Sequence, residues 1–356
     1  MQKSIQLIQD LSNAFGVSGF ETDVAQVASD YVADFAHVRQ DRMGNVFLKP
    51  DVAQAADNKL NVLLDAHLDE VGFIVQAIHD NGMLDFLPVG GWAINNVPAH
   101  TVQIKTRKQG IVKGITASTP PHFMTEADRK APLDFDKIVI DVGTSSKAAT
   151  EALGIEIGNP IVPDVSFETL HDGEILLGKA FDCRIGCAAL LETFEQYVQG
   201  EPNPALDLEA VLTTQEEVGL RGATVAANQI SADIAIVFEG CPADDTFTPT
   251  YKIQSALGKG PMLRHFDVSM ITHPGFQAFA MDIAEKYNIP MQTSVRKGGG
   301  TNGSAYHLAN QGIPTIVVGI PVRYAHTHYG FVHFADYQHA IQLVLAILKD
   351  LTAEVF

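Results

Sequence analysis

Read for its pattern of apolar and polar positions, the chain opens with two helical stretches. Leu7, Leu11 and Phe15 recur at helical spacing, and Val24, Val27, Ala28, Tyr31 and Val32 form a second such face. Residues 1–37 therefore predict two helices, parted at Gly16-Val17-Ser18-Gly19. A short strand is expected at 45–48 after a turn at Gly44. Residues 59–65 form an apolar run without alternation, which suits a strand in a sheet covered on both faces. From about 72 to 165 the texture changes. The runs 73–75, 101–104, 110–115 and 137–140 are short, rich in Val and Ile, and separated by Gly, Pro and Asn. They predict a small all-β insert, with one helical stretch near 145–153. The polar, Pro-containing segment 120–133 reads as a mobile loop.

Beyond Asp172-Gly173-Glu174 strands and helices alternate. Strands are predicted at 175–178, 208–212, 234–238, 291–294 and 315–319. Helices are predicted at 184–197 (amphipathic), 222–228, 277–287, 301–311 and 337–348. That alternation argues for an α/β fold with a mainly parallel, helix-flanked sheet. No internal repeat or low-complexity segment interrupts it.

The chemistry gathers where apolar strands stop. The run ending at Asp65 leads into His67, and 208–212 leads into Glu216 and Glu217. The run 234–238 leads into Glu239, and 315–319 leads, a few residues on, into His326. Parallel strands place their carboxyl ends along one edge, where open α/β sheets bind ligands. Asp182, just ahead of a predicted helix, can join them. An adjacent Glu pair alone reads as a solvated loop, because like charges side by side are unfavourable. Three further strands ending on ligand-type residues change that reading. Mixed imidazole and carboxylate donors suit Zn²⁺, Co²⁺ or Mn²⁺ better than Ca²⁺. Two ions would need a bridging group, which a carboxylate such as Asp182 can be. One acid of the Glu pair could then bind metal while its neighbour stays free as a general base. In His67-Leu68-Asp69 the outer residues share a face, so Asp69 can accept from the imidazole and fix its tautomer.

Composition narrows the function classes. The chain has 356 residues, long enough for more than one domain, and a net charge of −18. That charge argues against nucleic acid and anionic membrane partners. No stretch has the length of a membrane span, and the N-terminus lacks the apolar core of a signal peptide. Cys183, Cys187 and Cys241 are too few for a disulfide framework and read as reduced thiols in a cytoplasmic protein. His328 and His333 follow His326 closely, but each is more simply structural. His265 and His273 read as surface residues. Gly298–Gly303 lacks the Lys and spacing of a phosphate loop.

His67-Leu68-Asp69-Glu70-Val71-Gly72, Asp182-Cys183-Arg184-Ile185-Gly186, Gln215-Glu216-Glu217-Val218-Gly219-Leu220-Arg221-Gly222-Ala223 and Arg323-Tyr324-Ala325-His326 together resemble the M42 family of metalloaminopeptidases. That family includes glutamyl and tetrahedral, self-compartmentalising aminopeptidases. The resemblance implies a phosphorylase/hydrolase-like catalytic domain from 1–70 and 166–356. It implies an inserted β-barrel or PDZ-like domain over 71–165, used for dimerisation. It also implies two divalent ions per chain, Zn²⁺ or Co²⁺ and in some members Mn²⁺. By position His67, Asp182 and Glu239 would hold one ion, and Asp182, Glu217 and His326 the other. Glu216 would be the general base and Asp69 the group that orients His67. The implied partners are peptide substrates and further copies of the chain, in a dodecamer built from dimers. Three positions depart from the common pattern. Asn302 stands where many members have Asp, and Cys183 where many have Asn, suggesting redox sensitivity. Glu239 stands where Asp is common.

The expected reaction is removal of N-terminal residues from peptides. Rival readings are deacylation or dipeptide hydrolysis on the same site, glycoside hydrolysis by the Glu216/Glu217 pair, and a scaffold without turnover. Lys252, Lys259, Arg264, Arg296 and Lys297 are candidates to line a pocket for an acidic side chain.

Overall fold

The computed structural model describes residues 1–51 and 59–352. Its largest element is an eight-stranded sheet. The strand order is Ala36–Gln40, Val46–Pro50, Leu206–Thr213, Leu60–His67, Ile234–Pro242, Thr315–Val322, Met262–Phe266 and Gln292–Val295. The four central strands run parallel. Their register sets Thr213 beside His67 and Val237 beside Asp65, so the chemistry-bearing ends meet at one edge.

Both faces of this sheet are covered, as the unalternating apolar runs require. On one face lies the helix Phe181–Gln199, whose Ile185, Ala188, Leu191 and Phe194 are fully buried with Val62, Leu64, Leu208 and Ile236. The sequence suggested an amphipathic helix here. Instead it is buried on nearly every side, because the helices Gln2–Asn13, Thr22–Val32 and Phe334–Asp350 pack over its outer surface. On the opposite face Phe47, Leu63, Val211, Val237 and Val317 pack under the short helices Arg221–Ala227 and Gly303–His307. Truncating such a residue, Leu64 or Leu191 to Ala, would cost about 2–5 kcal/mol. The scaffold under the sheet edge is correspondingly rigid.

Between the strand ending at His67 and residue 163 the chain closes a six-stranded antiparallel barrel. Around it the order is Gly72–Ile78, Leu84–Val89, Ile138–Asp141, Gly110–Ser118, Thr101–Thr106 and Pro160–Pro163. Phe73, Phe86, Val102, Ile104, Ile140 and Ile161 fill it. Two of its strands escaped sequence reading because they are short and carry proline, at Pro88, Pro160 and Pro163.

Other differences have local causes. The 120–133 segment is not irregular throughout: Thr125 and Asp128 form a reciprocal cap that sets the helix Glu126–Lys130. The helix expected over 301–311 is confined to Gly303–His307. The strand Ile175–Gly178 sits outside the main sheet, between Glu168–Leu170 and Gly330–His333. Ala36–Gln40 pairs as an edge strand at the end of the stretch read as helical.

Candidate metal centre

His67 ends its strand and turns its ring into the sheet edge, with its side chain only 2% exposed. Its Nε2 lies 3.2 Å from Asp182 Oδ1, 3.4 Å from Glu239 Oε1 and 3.9 Å from Glu216 Oε2. On the other side of the ring, Nδ1 is 3.3 Å from Asp69 Oδ1. The same Nδ1 lies 3.2 Å from the main-chain carbonyl of Asp69, so this residue faces the ring with both its backbone and its carboxylate. The carboxylate does more than orient a ring. It also accepts from the backbone N–H groups of Glu216 (2.9 Å) and Glu217 (3.1 Å) and from Ser18 Oγ (2.6 Å). One buried acid therefore fixes the imidazole and the turn that carries the Glu pair.

His326 lies beyond the strand Thr315–Val322, in a loop where Tyr324 and His326 both have left-handed backbones (φ 62° and 60°). Its Nε2 is 3.3 Å from Asp182 Oδ2 and 3.3 Å from Glu217 Oε2. Its Nδ1 donates to the carbonyl of Gly91 at 2.9 Å. The two oxygens of Asp182 therefore face different imidazoles. The neighbours Glu216 and Glu217 likewise diverge, one toward His67 and the other toward His326. A left-handed Gln215 (φ 54°) begins the turn that presents them.

The electrostatics are those of an acid-rich pocket. Burial pushes Glu216 well above the usual carboxylate range, and Glu239 and Glu217 add to the push. Burial also raises Glu217 to about 8, with Asp182 beside it contributing. For Asp182 burial acts upward, but His326 and His67 outweigh it and hold the carboxyl well below its ordinary value. Burial lowers His326, yet Asp182 and Glu217 bring it up to about 10. Glu217 Oε1 is buried with no hydrogen-bond partner. An orphaned carboxylate oxygen, carboxylates crowded around two imidazoles and an oxygen–nitrogen donor set fit divalent cations. His67, Asp182 and Glu217 bring one donor atom each to within 4.8 Å of one another.

Some participants were not legible. Arg184 is fully buried and donates to the carbonyls of Leu68, Leu11, Ala14 and Gly16 and to Glu70. It ties the loop after His67 to the first helix. Asn302 donates to Asp65 Oδ2 (2.9 Å) and to Thr213 Oγ1 (2.7 Å), and Tyr306 donates to Asp65 Oδ1 (2.8 Å). The missing acid at 302 is thus matched by an acid at 65. Gly91 belongs to the barrel segment, and nothing in the sequence places it beside His326.

The remaining expectations resolve plainly. His328 is buried and stacks on His100 (4.0 Å between ring centres). His333 caps the last helix and pairs with Glu174. His273 is an exposed helix cap, and His265 is half-buried. Cys183 is fully buried, and burial with Glu239 nearby pushes its thiol well up. Burial keeps this thiol from solvent, which argues against the redox sensitivity suggested above. The three cysteines are all unpaired. No described helix is long and apolar enough to cross a membrane.

A cavity of about 680 Å³ opens over the centre, lined by Asp182, Glu216, Glu217, Glu239 and His326 and by Gly298–Gly300. Of the five candidate cations, Arg264, Arg296 and Lys297 line it, and Lys252 and Lys259 do not. Arg264 pairs with Asp267 and Arg296 with Asp244.

Comparison with known proteins agrees with this architecture. The family described as M42 glutamyl aminopeptidase matches residues 44–343. This chain belongs to that family and is a peptidase. It is 31% identical to the glutamyl aminopeptidase of Lactococcus lactis, covering 98% of this chain and 96% of the relative. It is also 31% identical to the lysyl aminopeptidase of Pyrococcus furiosus, covering 97% of each. Among solved structures, the TET aminopeptidase of Thaumarchaeota archaeon SCGC AB-539-E09 superposes with a TM-score of 0.94. It is 36% identical and covers 99% of this chain and 98% of that one. The Pyrococcus horikoshii TET1 peptidase, which can assemble into a tetrahedron or a large octahedral shell, gives 0.86 at 28% identity. That match covers 98% of this chain and 100% of the other.

Proposed function

We propose that the chain is a dinuclear, metal-dependent aminopeptidase. His67, Asp182 and Glu239 would hold one divalent ion, and Asp182, Glu217 and His326 the second. The observation that carries this reading is the division of Asp182, whose Oδ1 faces His67 and whose Oδ2 faces His326. Ions bound there supply Lewis acidity toward a carbonyl and acidify a water. Zn²⁺ or Co²⁺ suits the donors best, with Mn²⁺ next.

Glu216 is the general base. It faces His67 Nε2 only at 3.9 Å and lines the cavity, and cations bound beside it would counter the burial that raises it, leaving a carboxylate to take the proton of the attacking water. It then passes that proton to the leaving amine. Asp69 holds both the His67 ring and the Glu216 backbone, so the base and the metal half-site keep one spacing. Lys297, exposed and without an acidic partner among the described residues, favours an acidic first side chain over a basic one. Glycoside hydrolysis by Glu216 and Glu217 is disfavoured, because the two carboxylates turn toward different imidazoles.

The barrel segment, 71–165, would serve dimerisation, with 1–70 and 166–356 as the catalytic unit. Dimers would build a dodecamer, a reading supported by the tetrahedral assembly of a structural relative. The test is Glu216→Gln. It is expected to keep the ions and the fold while kcat falls about 10²–10⁴-fold. Near-normal kcat would overturn the assignment. A panel of aminoacyl chromogenic amides, with Zn²⁺ or Co²⁺ restored after chelation, reads the first side chain.

A further inference from the structure

The two imidazoles of the centre are supported by different parts of the chain. His67 is oriented by Asp69, two residues away on its own strand's continuation. No acid among the described residues stands behind His326. Its Nδ1 donates to the main-chain carbonyl of Gly91, which lies in the barrel segment just after the strand Leu84–Val89. A metal-binding imidazole needs such an acceptor on its far nitrogen to present the near one. The need is greater at His326, which is 38% exposed and sits on a left-handed backbone that the local sequence does not favour.

The turn around Gly91 is built for close approach. Gly90 has φ +82°, and a Cβ there would lie 3.3 Å from Glu217 Cβ and 2.7 Å from Val71 Cγ1. A Cβ on Gly91 would lie 3.2 Å from His326 Nδ1 and meet no other residue within 4 Å. The next residue, Trp92, pins the turn. Its ring stacks on Phe73 at 4.6 Å, its Nε1 donates to the Gly72 carbonyl at 3.1 Å, and it lies 5.1 Å from the His328 ring. His328 in turn stacks on His100 of the barrel.

We propose that Gly90-Gly91-Trp92 is the positioning element of the His326/Glu217 half-site. The Gly91 carbonyl fixes the His326 tautomer and ring, so that Nε2 faces Asp182 and Glu217. Gly90 allows the Glu217 stem to sit against the same turn. Trp92 holds the turn on the barrel wall. Occupancy of the second ion thereby depends on how the barrel is seated, while the ion at His67 does not. The inference rests on the reading of His326 and Glu217 as ligands.

Equilibrium dialysis of chelator-stripped protein against Co²⁺ or Zn²⁺, with the metal content measured, tests it without reference to activity. Wild type is expected to bind two ions. Gly91→Ala, a small addition at an exposed site with ordinary backbone, should weaken one of the two sites and leave the other unchanged. Gly91→Val should extend the loss to about 10–100-fold in Kd for that site. Trp92→Ala should weaken the same site, and Trp92→Phe, which keeps the stack, should restore most of it. Thermal melting of the stripped proteins, expected to match wild type for both Gly91 variants, confirms the fold. Equal weakening of both ions, or two unchanged ions in Gly91→Val and Trp92→Ala, would overturn the proposal. Fewer than two ions in wild type would instead remove the dinuclear reading and this inference with it, so the two failures are told apart by which protein shows them.

Discussion

The His67 half of the centre and the His326 half reach the same carboxylate by opposite means. His67 is 2% exposed, and His326 is 38% exposed. Behind His67 stand Asp69, Ser18 and Arg184, all buried and satisfied within the sheet unit. Behind His326 stand a left-handed loop and one carbonyl from the barrel. The first half is built by folding the sheet, and the second by bringing barrel and sheet together. A peptidase organised this way couples the completeness of its site to the seating of its inserted segment.

The most severe way to probe the difference is to cut the support of the first half. Arg184→Met removes a fully buried donor shared by the carbonyls of Leu68, Leu11, Ala14 and Gly16 and by Glu70, of which Ala14 and Glu70 keep Lys179 and Gly16 keeps the Glu70 N–H. A loss of about 4 kcal/mol or more is expected in urea denaturation. Neither Gly91 variant should move stability by more than about 0.5 kcal/mol, since Gly91 is exposed. If Arg184→Met proved as mild, the claim that the first half is part of the core would fail.

Next in size is the Asp65–Asn302 pair beneath His67. Burial raises Asp65 to about 7 even though Asn302 and Tyr306 donate to it. Asn302→Asp sets a second acid against it and should cost about 2–3 kcal/mol. Adding Asp65→Asn exchanges the two groups and should restore most of the loss. A double variant no better than the single would show that the residues do not act as a pair.

A further effect is a pH slope. Burial lowers Lys179 to about 8, against which the Glu70 carboxylate pulls upward. The unfolded lysine keeps its ordinary value of 10.5. Below pH 8 the lysine is charged in both states, and the cost of burying that charge is fully present. Between pH 8 and 10.5 the unfolded chain binds more protons, so this group raises stability with pH. Thermal melts of Lys179→Met should lose that rise, and an unchanged slope would assign it to other groups.

Much of the sheet half could be read from residue order. Unalternating strands, ending on His67, Glu216, Glu217, Glu239 and, after a loop, His326, predicted both the parallel edge and the residues that meet there. The His67–Asp69 contact followed from two-residue spacing. What escaped reading depends on long-range meeting. Gly91 contributes only a main-chain oxygen, which no side chain announces. Arg184 acts through carbonyls, and its role is set by where the first helix ends. The strand Met262–Phe266 and the proline-bearing barrel strands are too short for their period to show. The burial of helix Phe181–Gln199 depends on three other helices packed over it.

The central claim is that Asp182 is shared between two ions. Anomalous diffraction from crystals grown with Zn²⁺ tests it directly. Two peaks are predicted on either side of the Asp182 carboxylate, about 3.5–4 Å apart, one beside His67 and Glu239 and the other beside Glu217 and His326. A single peak at saturating metal, or two peaks of which only one touches Asp182, would contradict it.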